Sequence, residues 1–211
     1  LNHIPFADHG ALLDPPTADV TARCVGMLAQ LDAEKYAEPI RKGVAFLKSE
    51  QEEDGSWFGR WGTNYVYGTW SVLCALNAAG EDTKAPYIQR AVQWLRDRQS
   101  DDGGWGEDGA TYWEEERETV KASTASQTAW AVLALMAVGE TESEAVERGI
   151  KYLLEAPRDG SNWEEPRYTA VGFPKVFYLK YHGYSIYFPL WALARFRNLK
   201  KGNTGRVPHG I

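Results

Sequence analysis

Lys42-Gly43-Val44-Ala45-Phe46-Leu47, leading to Gln51 and then Gly55-Ser56-Trp57, decides the fold of this chain because it recurs. Arg90-Ala91-Val92-Gln93-Trp94-Leu95 leads to Gln99 and Gly103-Gly104-Trp105 with the same spacing. A third copy, Arg148-Gly149-Ile150-Lys151-Tyr152-Leu153, reaches Trp163 at that distance, with Pro157 in place of Gln and Ser161 in place of Gly. A second phrase precedes each copy: Thr21-Ala22-Arg23-Cys24-Val25, then Thr69 to Leu76, then Thr128 to Leu135. The two later phrases are apolar almost all round, which marks helices buried on every side, whereas the Lys/Arg-led helices carry one apolar stripe. Periods near 48 and 58 residues (42 to 90, then 90 to 148) predict stacked helix pairs, with buried helices in an inner ring and amphipathic ones in an outer ring.

The recurring Gln, Gly and Trp fit a structural role in such a stack. Glycine after a helix permits a left-handed turn, and a Trp can pack over that turn while its N–H finds a partner. A Gln amide can bond to backbone groups at a neighbouring helix end. These residues are expected to clamp the repeats together.

Composition narrows the function. A formal charge of −6 argues against a nucleic-acid binder, which should show a basic stripe. No apolar run approaches the roughly 20 residues of a membrane-spanning helix. The chain opens at Leu1 without Met or a targeting segment, which fits a piece of something longer. Cys24 and Cys74 lie in apolar helical phrases without a CxxC partner, and both read as buried small hydrophobes of a reduced compartment. Nine Trp and eleven Tyr call for a large core or an aromatic-lined cavity.

The pattern from Lys42 to Trp57 and from Arg90 to Trp105 resembles the QW motif of triterpene cyclases of the squalene–hopene cyclase type. The likeness runs from Ile4-Pro5-Phe6-Ala7-Asp8 through Trp57-Phe58-Gly59-Arg60-Trp61-Gly62 to Gly172-Phe173-Pro174. It implies an all-α fold, part of an (α/α)6 barrel or terpenoid cyclase toroid over residues 1–200, with a tail at 201–211. About four helix pairs are expected here, against six for a closed toroid. The family's proton donor lies in an Asp-x-Asp-Asp motif, and this sequence has none; Asp101-Asp102 belongs to a repeat turn. The resemblance therefore implies the C-terminal part of a cyclase, silent alone, whose N-terminal part supplies the acid.

The resemblance also assigns site residues. Asp19 and Arg23, four apart on one helical face, match the polar cluster that orients and activates the acid, and could form a fixed ion pair. The best-known relatives carry His at the position of Arg23; a permanent cation cannot shuttle a proton. Trp61 is placed against the reactive end of the substrate, and Tyr67 in the hydrogen-bond network near the acid. Phe6 and Ala7 match the narrowing of the substrate channel. Phe173, Phe177, Leu179, Tyr181 and Tyr184 would line the cavity, where ring faces stabilise cations without trapping them. Pro174 excludes a regular helix at that point.

The implied substrate is squalene or a similar polyprene, with no cofactor and no metal. The implied setting is the surface of a bacterial cytoplasmic membrane for the full-length protein, with the isolated fragment soluble; a homodimer is allowed. Glu114-Glu115-Glu116-Arg117-Glu118 reads as a solvated loop. A non-catalytic toroid that binds lipid or protein is the rival reading. An α-toroid carbohydrate enzyme ranks below it, because paired acids among cavity aromatics are lacking.

Overall fold

The computed structural model describes residues 14–202. It contains α1 (Ala18–Asp32), α2 (Ala37–Ser49), α3 (Tyr65–Ala78), α4 (Pro86–Asp97), α5 (Ala125–Ala137), α6 (Glu144–Glu155) and α7 (Tyr184–Gly202). Two antiparallel hairpins, β1 (Arg158–Asp159) with β2 (Asn162–Trp163) and β3 (Ala170–Phe173) with β4 (Phe177–Leu179), connect α6 to α7. Helix α7 continues two residues into the expected tail.

The inner row runs α1, α3, α5, α7, each packed on the next, while α2, α4 and α6 back α1, α3 and α5. Burial follows the sequence pattern. Helix α3 is buried from Tyr65 to Leu76 and α5 from Ala125 to Ala137, leaving no polar face. The outer helices bury one stripe each: Ile40, Val44 and Leu47; Ile88, Val92 and Leu95; Val146, Ile150 and Leu153. Pairs cross closely where the motif demands a small residue. A Cβ on Gly43 would lie 2.4 Å from Val25, and one on Gly149 would lie 2.5 Å from Val132. The described residues form three helix pairs plus α7, which has no outer partner among them, rather than the four pairs expected.

The recurring residues act as clamps at the end of each outer helix. The indole N–H of Trp57 donates to the Leu47 carbonyl at 2.7 Å, Trp105 to Leu95 at 2.7 Å and Trp163 to Leu153 at 2.8 Å. These carbonyls belong to the last turns of α2, α4 and α6, where intrahelical donors run out. The backbone N–H of Trp57 then reaches Thr69 Oγ1 on the next inner helix, and that of Trp105 reaches Thr128 Oγ1. Gln51 donates to Gly55 and Tyr87 carbonyls, both at 2.8 Å, and Gln99 to those of Gly103 and Ala145 at 2.8 and 2.9 Å. Tyr87 and Ala145 sit in the first turns of the next outer helices, so each Gln bridges successive repeats. Gly55 and Gly103 adopt φ of 97° and 87°, and a Cβ there would strike the backbone of Arg90 and Arg148. In the degenerate third copy the β1–β2 hairpin replaces the Gln, and Arg158 Nη2 also donates to the Leu153 carbonyl at 3.1 Å.

Two further expectations fail. Cys24 is exposed, because it lies on the face of α1 turned away from α3 together with exposed Val20, Met27 and Leu31. The acidic loop is not wholly solvated. Arg117 packs over the Tyr65 ring at 4.4 Å and pairs with Glu52 at 3.1 Å and Asp54 at 3.2 Å, strapping the loop to the first repeat turn. A rapid thiol titration of the native chain should find Cys24 reactive. Cys74 should stay silent until unfolding, since burial pushes its pKa up to about 12. The clamps rank by redundancy. Trp57→Phe should cost about 1–2 kcal/mol in urea unfolding and Trp163→Phe less, because Arg158 still serves the orphaned carbonyl.

Candidate functional site

The first turn of α1 opens the site. Asp19 is fully buried; its Oδ1 accepts from the Thr17 hydroxyl at 2.5 Å and the Val20 N–H at 2.9 Å. Its Oδ2 accepts the backbone N–H of Trp61 at 2.8 Å. Asp19 thus holds the loop that carries Trp61. One turn on, the Arg23 guanidinium lies 4.0 Å from the centre of the Trp70 ring. Among the described residues no ion pair joins it to Asp19, so the expected fixed pair is replaced by a cation over an indole face. Tyr67, on the first turn of α3, is buried and meets Trp130 edge-on, with ring centres 5.1 Å apart. Burial raises its hydroxyl pKa, opposed by the charge of the neighbouring Arg23 and reinforced by that of Asp19. Asp19, Arg23, Trp61 and Tyr67 are therefore brought together at the N-terminal ends of α1 and α3.

The segment 58–64 between the first clamp and α3 is fastened at nearly every residue. Gly59 N–H bonds to Asn64 Oδ1 at 3.1 Å, and the Tyr112 hydroxyl donates to the Gly59 and Gly62 carbonyls at 2.5 and 3.0 Å. Thr63 N–H reaches the Thr169 carbonyl at 2.9 Å and Val171 N–H the Trp61 carbonyl at 3.2 Å, joining this loop to β3 by a single antiparallel bridge at Gly62 and Ala170. A Cβ on Gly62 would enter the Tyr67 ring at 2.4 Å, so only glycine lets the loop pass. The Arg60 guanidinium, buried behind the loop, donates to the Gly172 carbonyl at 2.9 Å.

The cavity candidates separate into two groups. Phe173 and Phe177 flank the tight turn of the β3–β4 hairpin with ring centres 5.6 Å apart, and the irregular segment expected there is this hairpin. Lys175 takes the left-handed position of the turn, at φ 67°. Leu179 pairs across the hairpin with Ala170. Tyr184 opens α7 and packs on Trp130 at 5.8 Å and Phe188 at 5.0 Å, with Tyr181 at 5.2 Å. Trp61 (40% exposed), Phe177 (40%) and Tyr181 (53%) leave an uncovered aromatic side. Phe6 and Ala7 lie outside the described residues.

Sequence reasoning missed three features. Trp70 and Trp130 stack at 5.8 Å, 12° from parallel, and bring Tyr67 and Phe188 into one aromatic cluster. An indole inside each helix that is apolar on every side was the available signal. Glu107, fully buried, caps α3: Asn64 N–H bonds to Oε2 at 2.7 Å and Val66 N–H to Oε1 at 3.2 Å. Glu165 likewise accepts the Ser126 N–H at the start of α5. Both acids stand two residues after a clamp Trp, and that repeated offset was legible. Gln127 completes the network, donating to the Thr63 and Glu107 carbonyls at 2.9 and 3.1 Å. Arg60 carried no signal beyond its place beside Trp61.

The sequence profile described as the squalene-hopene cyclase C-terminal domain matches residues 1–198. The chain belongs to the squalene–hopene cyclase family. It is 60% identical over 96% of its length to a probable squalene–hopene cyclase of Sinorhizobium fredii, and covers 32% of that protein. It is 52% identical over 93% of its length to the squalene–hopene cyclase of Alicyclobacillus acidocaldarius, covering 31% of it. The chain thus spans about a third of the length of the curated relatives it matches. Among solved structures, a type II terpene cyclase from Scytonema superposes with TM-score 0.59 over 94% of this chain and 59% of that one, at 18% identity. The ent-copalyl diphosphate synthase of Streptomyces platensis gives 0.58 over 92% of this chain and 35% of that one, at 23% identity. At such identities the likeness is one of fold, and it makes the chain part of an all-α terpenoid cyclase toroid.

Glu107 yields a pH prediction. Burial raises its pKa from 4.5 to about 7, against the opposing pull of the Asn64 and Val66 N–H groups. A carboxyl that binds its proton more tightly folded than unfolded contributes a stability term present at low pH. That term fades as pH rises from about 4.5 to about 7. Glu107→Gln should remove this slope, a difference on the order of 1–3 kcal/mol between pH 5 and pH 7.5, read by chemical unfolding of wild type and variant at both pH values.

Proposed function

We propose that the full protein cyclises squalene, or a similar polyprene, to a pentacyclic triterpene by acid-initiated carbocation chemistry, and that this chain builds the second half of its cavity. The observation that carries the reading is the convergence of Asp19, Arg23, Trp61 and Tyr67 at the ends of two inner helices, with an aromatic wall beside them. Family membership supports it.

Cyclisation needs three things: a strong acid to protonate an alkene, surroundings that stabilise successive cations, and a final loss of charge. The acid is assigned to an Asp-x-Asp-Asp motif in the N-terminal part of the full protein, since these 211 residues contain none. Arg23, held over Trp70, supplies a fixed positive charge that stabilises the conjugate base of a nearby acid and so favours donation. Asp19 accepts the backbone N–H of Trp61 and anchors the loop that carries that indole. Trp61, Phe173 and Phe177 present ring faces to cations, which attract positive charge without supplying a nucleophile. Tyr181 and Tyr184 shape the cavity wall, Leu179 adds an apolar contact, and Phe6 and Ala7 belong to the substrate channel. The reading requires no cofactor and no metal. The remaining part of the full protein covers the bare apolar face of α1 at Val20, Cys24 and Met27, and the open aromatic side.

Among the described residues no helix is long and apolar enough to cross a membrane; the full protein is proposed to sit on the surface of a bacterial membrane, which suits a lipid substrate. A non-catalytic lipid-binding or protein-binding toroid is the outcome that would replace this reading. Purified full-length protein incubated with squalene should form a polycyclic product, and the 211-residue chain alone should form none. Turnover by the isolated chain, or none by the full protein, would overturn the proposal. Full-length Asp19→Asn should lose turnover by roughly a hundredfold while staying folded, the usual scale for a group supporting proton transfer. An unchanged rate would remove Asp19 from the acid's support.

A further inference from the structure

Trp61 and Phe173 lie far apart in sequence and do not touch through their rings; what stands between them is Arg60. Its guanidinium lies 4.2 Å from the centre of the Trp61 ring and 5.2 Å from that of Phe173. It is nearly fully buried, and Nη1 donates to the Gly172 carbonyl, the peptide that leads into Phe173. Asp14 approaches Nη2 at 3.7 Å and gives the charge a partial counter-ion. The hairpin is tight at this joint, because a Cβ on Gly172 would lie 2.0 Å from the Phe177 ring.

We propose that Arg60 is a positioning residue that sets the orientation of Trp61 relative to Phe173, and with it the spacing between an early and a later cation-stabilising face. The inference rests on the cyclase reading above. A planar guanidinium can stack on two rings and hold a carbonyl at once; an ammonium or a neutral side chain cannot do all three. The charge itself does not assist catalysis. A permanent cation on one face of an indole draws on the same π density that a carbocation on the other face needs. Arg60 is therefore placed for geometry, and its effect is exerted through Trp61 and Phe173. Sequential ring closure makes this visible. If the later face is misplaced, the cation is lost before the last rings form, and incompletely cyclised products accumulate.

The test uses the full-length enzyme with squalene and compares wild type, Arg60→Lys and Arg60→Met. Arg60→Met should lower kcat by roughly tenfold to a hundredfold, the scale expected of a small misplacement of reacting groups. KM should change little, and the share of incompletely cyclised products should rise. Arg60→Lys should fall between the two in product ratio. Wild-type product ratios in a folded Arg60→Met enzyme would overturn the inference. So would a loss of kcat that merely follows a fall in Tm with the ratio unchanged. If Arg60→Met does not fold, the product ratio of Arg60→Lys decides on the same terms. A crystal structure of Arg60→Lys with the Trp61 and Phe173 rings unmoved would overturn it independently of any assay. Absence of squalene turnover by the wild type instead overturns the cyclase reading.

Discussion

The bond from a buried indole N–H to the third-last carbonyl of an outer helix is the constraint on which this fold depends. At Leu47, Leu95 and Leu153 the helix is running out of its own donors, Leu95 keeping a long 3.3 Å bond from the Arg98 N–H, and each indole bond is buried. An unpaired carbonyl there would cost about 1–3 kcal/mol. The Trp supplies the donor from the following turn, so helix end and turn become one unit. The same Trp backbone then bonds to a threonine of the next inner helix in the first two repeats. The stack is thus propagated by local bonds, each repeat fixing the next.

From that clamp follows the placement of the chemistry. The chain leaving Trp57 has few residues before α3 begins, and it must cross between inner helices whose faces are apolar. Its polar backbone is paired with groups from elsewhere: Asp19 from α1, Tyr112 and Gln127 from the later repeats, Thr169 just before β3 and Val171 within it. A loop so pinned has one conformation, and Trp61 has one place. The buried carboxylate of Glu107 belongs to the same logic. It replaces solvent at the amide-rich end of α3, and desolvation, not a neighbouring charge, dominates its raised pKa.

The architecture was legible because it is periodic. Alternating buried and amphipathic helices and the Gln, Gly and Trp positions are short-range patterns, and the structure uses them as the pattern requires. The Phe173–Tyr184 segment was legible as non-helical from Pro174, though not as a hairpin, since its alternation is broken by Lys175 at the turn. Arg60 and Arg117 were not legible, and Glu107 was legible only as an acid at a repeated offset from its Trp, not as the cap of α3. Their partners lie 112, 65 and 43 residues away, and nothing in a local window says which distant carbonyl or helix end a charged residue will serve. Cys24 was misread for a related reason. The apolar phrase around it predicts burial, but the surface that would bury it is not among the described residues.

Arg23 marks where a local rule gave way to a tertiary one. An Asp and an Arg four apart on a helix would ordinarily face each other in solvent, a contact worth a few tenths of a kcal/mol. Here Asp19 is buried, and its oxygens are occupied by a hydroxyl and two backbone N–H groups, so its charge is already dispersed among donors. Arg23 has a large indole face within reach, and a guanidinium gives up its hydration more readily than an ammonium does. Stacked on Trp70, the Arg23 guanidinium also lies beside the Tyr67 hydroxyl and opposes the rise of its pKa. Two residues that look like a pair in sequence thus serve different ends of one site: Asp19 anchors the Trp61 loop, and Arg23 carries the charge.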